Sequence, residues 1–156
     1  MKFLISKRII IIFSFIALTV NIYSQSKQSV DLDSVTQVMV PKELYIGDLG
    51  QIQYSFRTPV DFFSIADKEK IHGDELSLDV ETSYFLQNVE DCSIENIVLV
   101  RNGLNYNLCI TFKPWKVGKI EFKEFDLLNL CRGKKQDNLK EEFSSFNIKI
   151  SSIEIP

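Results

Sequence analysis

Few residues in this chain combine the types and spacing that chemistry needs. His72 is the only histidine, followed by Gly73 and Asp74. One imidazole excludes any catalytic or metal site that requires two. A hydrolytic triad would need a nucleophile poised against that histidine, and no serine lies in a Gly-x-Ser-x-Gly elbow. His72 therefore reads as a solvated turn residue. Cys92, Cys109 and Cys131 are far apart in the chain and lack the C-x-x-C spacing of zinc and redox sites. An odd count leaves at least one thiol unpaired, or paired between molecules. Within the chain a structural disulfide could join Cys92 to Cys131 or Cys109 to Cys131, spacing does not choose, and a free thiol that simply packs in the core is the companion reading. Asp31-x-Asp33 and Glu124-x-Asp126 offer oxygen ligands without the glycine and terminal Glu of a calcium loop. Glu141-Glu142 has no evident acid–base partner. There is no glycine-rich phosphate loop and no basic stripe interleaved with aromatics. These residues point to a non-enzymatic protein with no cofactor and no metal. Trp115, the single tryptophan, has two readings: a plug over the end of a core, or an exposed anchor for a partner.

The elements that would position such residues alternate with period two, as strands packed on one face do. Ile52, Tyr54 and Phe56 alternate with Gln51, Gln53, Ser55 and Arg57. Leu76, Leu78 and Val80 alternate with Ser77, Asp79 and Glu81, and Thr82 and Tyr84 continue the apolar face. Ile120 and Phe122 form a shorter run. Phe146, Ile148 and Ile150 alternate with Asn147, Lys149 and Ser151, and Ile153 and Ile155 then shift phase by one residue. A bulge or a strand end near Ser151-Ser152 accounts for that shift. The sharpest turn signal is Asn102-Gly103. With those two residues as the loop, Arg101 faces Leu104, Leu99 faces Tyr106, Ile97 faces Leu108 and Cys109 faces Asn96. A first strand is expected near Val38 to Val40. Gly47-Asp48, Thr58-Pro59, His72-Gly73-Asp74 and Val117-Gly118 mark further turns. Residues 67–70 suit one helical turn, and residues 138–143 another within the polar stretch 132–142. The sum is an all-β chain: an immunoglobulin-like β-sandwich of seven to eight mostly antiparallel strands.

The chain has 156 residues, 45% hydrophobic and 25% charged, which fits one domain and rules out a disordered chain. Residues 1–24 carry Lys2, Lys7 and Arg8, an apolar stretch from Ile9 to Val20, and Ser24 before Gln25. That pattern is a secretory signal, with cleavage expected between Ser24 and Gln25. The rival reading is an uncleaved membrane anchor through residues 9–23, short for the ~20 residues of a spanning helix. Residues 25–34 are a polar lead-in, and the domain occupies residues 35–156. Without the signal, 15 Lys plus Arg stand against 21 Asp plus Glu, a net charge of −6. That balance disfavours nucleic acid and anionic membrane surfaces as partners. In an exporting cell this places the chain in the periplasm or at the cell surface.

Two stretches carry a resemblance. Val40-Pro41-Lys42-Glu43-Leu44-Tyr45-Ile46-Gly47-Asp48 resembles the first strand and "lGd" turn of the immunoglobulin-like domains of the bacterial BatD family, the aerotolerance proteins. Phe112-Lys113-Pro114-Trp115-Lys116-Val117-Gly118-Lys119-Ile120 resembles their "F-x-P-x-x-x-G-x-x-x-i" corner, with Ile120 one position early. The resemblance spans about residues 35–155 and implies a sandwich fold outside the cytoplasmic membrane, with no catalytic residues to transfer. Such proteins generally carry further domains and a C-terminal membrane helix, and they are not marked by three cysteines.

The expectation is thus an exported, BatD-like protein–protein interaction module of the cell envelope, with an envelope protein as partner. Sheet edges can add a partner strand. The last strand, residues 143–155, is the expected docking edge. Trp115, Phe146, Ile148 and Ile150 are the expected partner contacts. The alternative is a small exported β-barrel around a hydrophobic ligand, suggested by the nine Phe, four Tyr and one Trp beyond the signal.

Overall fold

The computed structural model describes residues 35–133 and 145–156. The expected signal segment and lead-in, Asp31, Asp33 and the turn expected at 138–143 lie outside the described residues, as do Glu141 and Glu142.

Six strands form one antiparallel sheet: β1 (Thr36–Val40), β2 (Gly50–Arg57), β3 (Ile71–His72), β4 (Glu75–Leu78), β5 (Cys92–Asn102) and β6 (Asn105–Pro114). Their order across the sheet is β1-β2-β6-β5-β4-β3. The alternation read from sequence is the alternation of the pleat. Ile52, Tyr54, Phe56, Leu76, Leu78, Leu99, Leu108 and Ile110 are all buried on one face. Gln51, Gln53, Ser55, Asn107, Cys109 and Thr111 stand on the other, half-buried. The sheet is open, with β1 and β3 at its edges. The barrel alternative is therefore corrected: the strands do not close into a ring.

The β5–β6 hairpin exists, in a register two residues away from the expected one. Asn102 pairs with Asn105, so the loop is Gly103-Leu104 rather than Asn102-Gly103. Gly103, at φ +62°, takes the first central place, where a type II′ turn takes glycine. Leu99 then faces Leu108, Ile97 faces Ile110 and Cys109 faces Val98. A shift of two preserves side-chain direction, so the buried and exposed faces agree with the expectation.

The remaining elements are short. They are α1 (Phe62–Ile65), a 3-10 turn at Lys68–Lys70, α2 (Thr82–Phe85), β7 (Gly118–Ile120), β8 (Phe125–Asp126), α3 (Leu127–Arg132), β9 (Asn147–Ile148) and β10 (Ile153–Ile155). β7 pairs with β10, and β8 with β9. Their apolar side chains join the inner face of the six-stranded sheet in one buried cluster. Phe62 sits at its centre, edge-on to Phe56, Tyr106 and Phe146 at centroid distances of 6.1, 5.1 and 5.1 Å. Such aromatic contacts each add about 0.5–1.5 kcal/mol beyond burial.

Two expectations about strands are corrected here. Thr82 and Tyr84 do not extend β4, which ends at Leu78; residues 82–85 form the short helix α2, and it is Phe85 and Leu86 that are buried there. The described part of the last stretch is not one long strand. β9 and β10 serve different partners, and the exchange falls at Ser151-Ser152, where the apolar phase shifts. At that junction the Gln37 side chain takes the place of a strand: its Oε1 accepts the Ser151 N–H at 2.8 Å and its Nε2 donates to the Ser151 carbonyl at 3.1 Å.

Candidate interaction surface

The residues with chemical potential are mostly spent on structure. Asp126 caps α3, accepting the Leu128 N–H at 3.0 Å, and the same oxygen accepts the Phe146 N–H at 2.9 Å. Its carboxylate thereby ties α3 to the final segment rather than standing with Glu124 as a ligand pair. Among the described residues no three His, Cys, Asp or Glu side chains gather closely enough to hold a metal ion. His72 lies exposed on β3, opposite Glu75.

All three cysteines are free thiols. Cys92 and Cys131 are in the core, whereas Cys109 is on the opposite face of the sheet. The sheet itself separates Cys109 from both candidates. Burial, with a smaller push from Asp91, raises the Cys92 thiol to about 12; burial, with a smaller push from Asp126, does the same to Cys131. Cys109 is also raised, by burial and then by Glu75. All three are therefore neutral at physiological pH, and the neutral thiol is a poor nucleophile and metal ligand.

What the fold does present is at one end of the sheet. Loops 41–49, 88–91 and 114–117 meet where β2 and β5 begin and β6 ends. The Gly47 N–H donates to the Pro114 carbonyl at 2.8 Å, and the Trp115 N–H donates to the Asp91 carbonyl at 2.9 Å. These two bonds string the three loops together. Gly47 reaches its position with φ +83°, inside a turn closed by the Asp48 N–H on the Tyr45 carbonyl at 3.1 Å. Asp91 is held in turn by Asn88 Nδ2 at 2.9 Å and by Lys116 Nζ at 3.4 Å.

One residue of this end turns inward. Leu44 is fully buried, and Gly50 makes that possible: a Cβ there would lie 2.5 Å from Leu44 Cδ2 and 2.9 Å from the Phe112 ring. With Leu44 as a peg, its neighbours point out. Tyr45, Ile46, Leu49, Val89, Trp115 and Val117 are all exposed. Of the eleven large apolar side chains exposed among the described residues, these six are on three linked loops. Trp115 is 51% exposed and outside the buried cluster, so it does not plug the core. Lys113 Nζ lies 5.4 Å from the centre of its ring, within cation–π reach.

The other sequence-derived contact residues are placed differently. Phe146, Ile148 and Ile150 are buried, so their side chains hold the domain together. Tyr45, Ile46, Leu49 and Val89 escaped the sequence reading because no periodicity marks a loop.

Comparison with known protein families, with curated proteins and with solved structures finds no match to this chain. Among the described residues, no helix is long and apolar enough to cross a membrane.

Proposed function

We propose that this chain is an exported, non-enzymatic interaction module of the bacterial cell envelope. In this reading it is an immunoglobulin-like β-sandwich related to the BatD domains, and it contacts an envelope protein through the loop end. The observation that carries the proposal is the concentration of six exposed apolar side chains, Trp115 among them, on three hydrogen-bonded loops. Soluble proteins scatter exposed apolar residues singly, and clusters of them mark contact sites. Interface energy concentrates on Trp and Tyr anchors held on a rigid frame. Leu44 in the core and the two inter-loop hydrogen bonds supply that frame. The balance of Lys42, Lys113 and Lys116 against Glu43, Asp48, Glu90 and Asp91 gives this end no strong sign of charge, which suits a protein surface better than nucleic acid.

The test is site-specific photo-crosslinking in intact cells. A photoreactive phenylalanine analogue replaces Trp115 in one strain and Leu104, at the far end of the sheet, in another. A discrete adduct from position 115 and none from position 104 supports the reading. Adducts that are the same from both positions, or absent from both, overturn it. N-terminal sequencing of the recovered protein tests export directly, with Gln25 as the expected first residue.

A further inference from the structure

The hairpin tip between β5 and β6 carries chemistry that needs no catalytic group. Asn102 is followed by Gly103, whereas every other asparagine in the chain, from Asn21 to Asn147, is followed by Val, Ile, Leu or Tyr. The difference matters because the backbone nitrogen of the next residue can attack an asparagine side chain and close a five-membered ring. A branched or aromatic side chain crowds that nitrogen, and glycine leaves it bare. The attack is intramolecular, so proximity supplies what a catalyst otherwise would. The fold keeps the pair available. Asn102, Gly103 and Leu104 are exposed. Among the described residues neither the Asn102 side chain nor the Gly103 N–H has a hydrogen-bond partner. A Cβ built at Gly103 would meet no atom within 4 Å. An open hollow of about 300 Å³, lined in part by Ser55, Arg57, Asn102, Asn105 and Asn107, gives water access to the amide. Asn105 and Asn107 line the same hollow but precede Tyr106 and Leu108, which are anchored in the core. One restraint opposes the reaction: Asn102 is paired with Asn105, and an extended residue holds the next nitrogen away from its own side-chain carbonyl. The last rung of a hairpin opens at low cost, and the ring closes through that opening.

We propose that Asn102 is a site of spontaneous covalent modification that loosens the hairpin end. The Gly103 nitrogen bonds to Asn102 Cγ, the Cγ–Nδ2 bond breaks, and ammonia leaves with the proton of the Gly103 amide. Water then opens the ring in one of two ways. Cleavage at Cγ gives aspartate in an unchanged main chain. Cleavage at the Asn102 main-chain carbonyl carbon gives isoaspartate, whose main chain runs through Cβ and Cγ and is one carbon longer. Either product replaces a neutral amide with a carboxylate. The longer chain cannot keep residue 102 opposite Asn105 while Arg101 stays opposite Tyr106. Arg101 is the next residue, and it holds this end through its amide on the Asp74 carbonyl at 2.8 Å and its guanidinium on Asp61 at 3.4 Å. Isoaspartate at position 102 therefore strains the residue that fastens the tip to its surroundings.

The experiment ages the purified full chain in mild detergent for weeks at physiological temperature and mildly alkaline pH, with a parallel sample unfolded in guanidinium chloride. Peptide mass spectrometry reads every asparagine, and electron-transfer fragmentation separates aspartate from isoaspartate. In the folded chain, conversion is expected at Asn102, more slowly than in the unfolded chain, with Asn105 and Asn107 unchanged. The isoaspartyl fraction is expected to lose hydrogen-exchange protection across residues 99–109. Asn102→Gln, whose longer side chain would have to close a six-membered ring, is expected to show neither change. A folded chain that keeps Asn102 intact while the unfolded chain converts it overturns the proposal. So does equal conversion at Asn105 or Asn107, or isoaspartate at position 102 with hydrogen exchange unaltered. Photo-crosslinking at Trp115 reads the other end of the sheet, so either result stands without the other.

Discussion

The two ends of the six-stranded sheet meet the same requirement, joining strands over a hydrophobic core, with opposite materials. At the hairpin end, Arg101 Cζ sits over the Phe63 ring, 4.2 Å from its centre, and the guanidinium faces Asp61 at 3.4 Å and Asp74 at 3.9 Å. Asp61 also caps α1 through the Phe63 and Ser64 amides, and the Tyr106 hydroxyl donates to the Val60 carbonyl at 2.9 Å. Charged and polar groups there turn toward each other, and the aromatic rings turn inward. At the other end backbone hydrogen bonds and the contacts of Asp91 with Asn88 and Lys116 tie the loops together, and six apolar side chains are left outside. The hairpin end leaves one large apolar side chain exposed, Leu104, and the loop end leaves six, a difference in load that implies different jobs. The second pattern costs solubility, so it calls for a reason beyond stability.

Mutations can break that comparison. The largest effect is expected for Phe62→Ala, which empties the aromatic centre beneath the hairpin end and should cost about 3–5 kcal/mol in urea unfolding. Gly50→Ala comes next. Its Cβ would strike Leu44 and Phe112, and the overpacking should cost about 1–3 kcal/mol. The same change should increase proteolysis within residues 41–49 while leaving the hairpin end protected; uniform protection of both ends would contradict the peg role of Leu44.

Alkali gives a third expectation. The folded-state thiols of Cys92 and Cys131 are raised above their ordinary value of 9.0, to about 12. The folded state therefore holds protons that the unfolded state has released. Stability is full below the ordinary thiol value and falls as pH rises through the window from 9.0 to about 12. The slope approaches ~1.4 kcal/mol per pH unit for each thiol. Cys131→Ala should flatten this decline, at the cost of lower stability at neutral pH, and urea melts across that range check it. The smallest effect is a matched pair. Arg101→Ala should cost ~0.5–1 kcal/mol, because it loses a ring contact and two partly solvated carboxylates. Trp115→Ala should change stability by less than about 0.5 kcal/mol, as an exposed side chain with few partners does. A Trp115 cost equal to that of Arg101 would remove the asymmetry between the ends.

Legibility in the sequence followed the length of the elements. The long strands β2, β5 and β6 repeat their alternation often enough to reveal which face is buried. The hairpin signal at Asn102-Gly103 found the turn, and missed its register because Asn102 belongs to the ladder and Gly103 opens the loop. α1 and α2 have four residues each and α3 has six, too few for a helical period to emerge. The N-cap aspartates of α1 and α3, Asp61 and Asp126, were the available clue, and Asp126 read equally well as a ligand. The final stretch showed its change of partner as a slip of phase at Ser151-Ser152. The loop-end surface was the least legible part. It joins residues 44–49 to residues 114–117, and no local pattern encodes a contact between segments so far apart. Trp115 alone signalled it, by its type.

The grip of Gln37 on Ser151 bears on how this domain would meet a mechanical load. A pull drawn through residue 35 reaches an edge strand, and edge strands yield by peeling, one rung after another. Here the second residue of the strand is fastened by its amide to a segment outside the sheet, so the tear must break a bond perpendicular to the seam almost at its start. A tug from that side is shared at once between the front of the domain and its final turn.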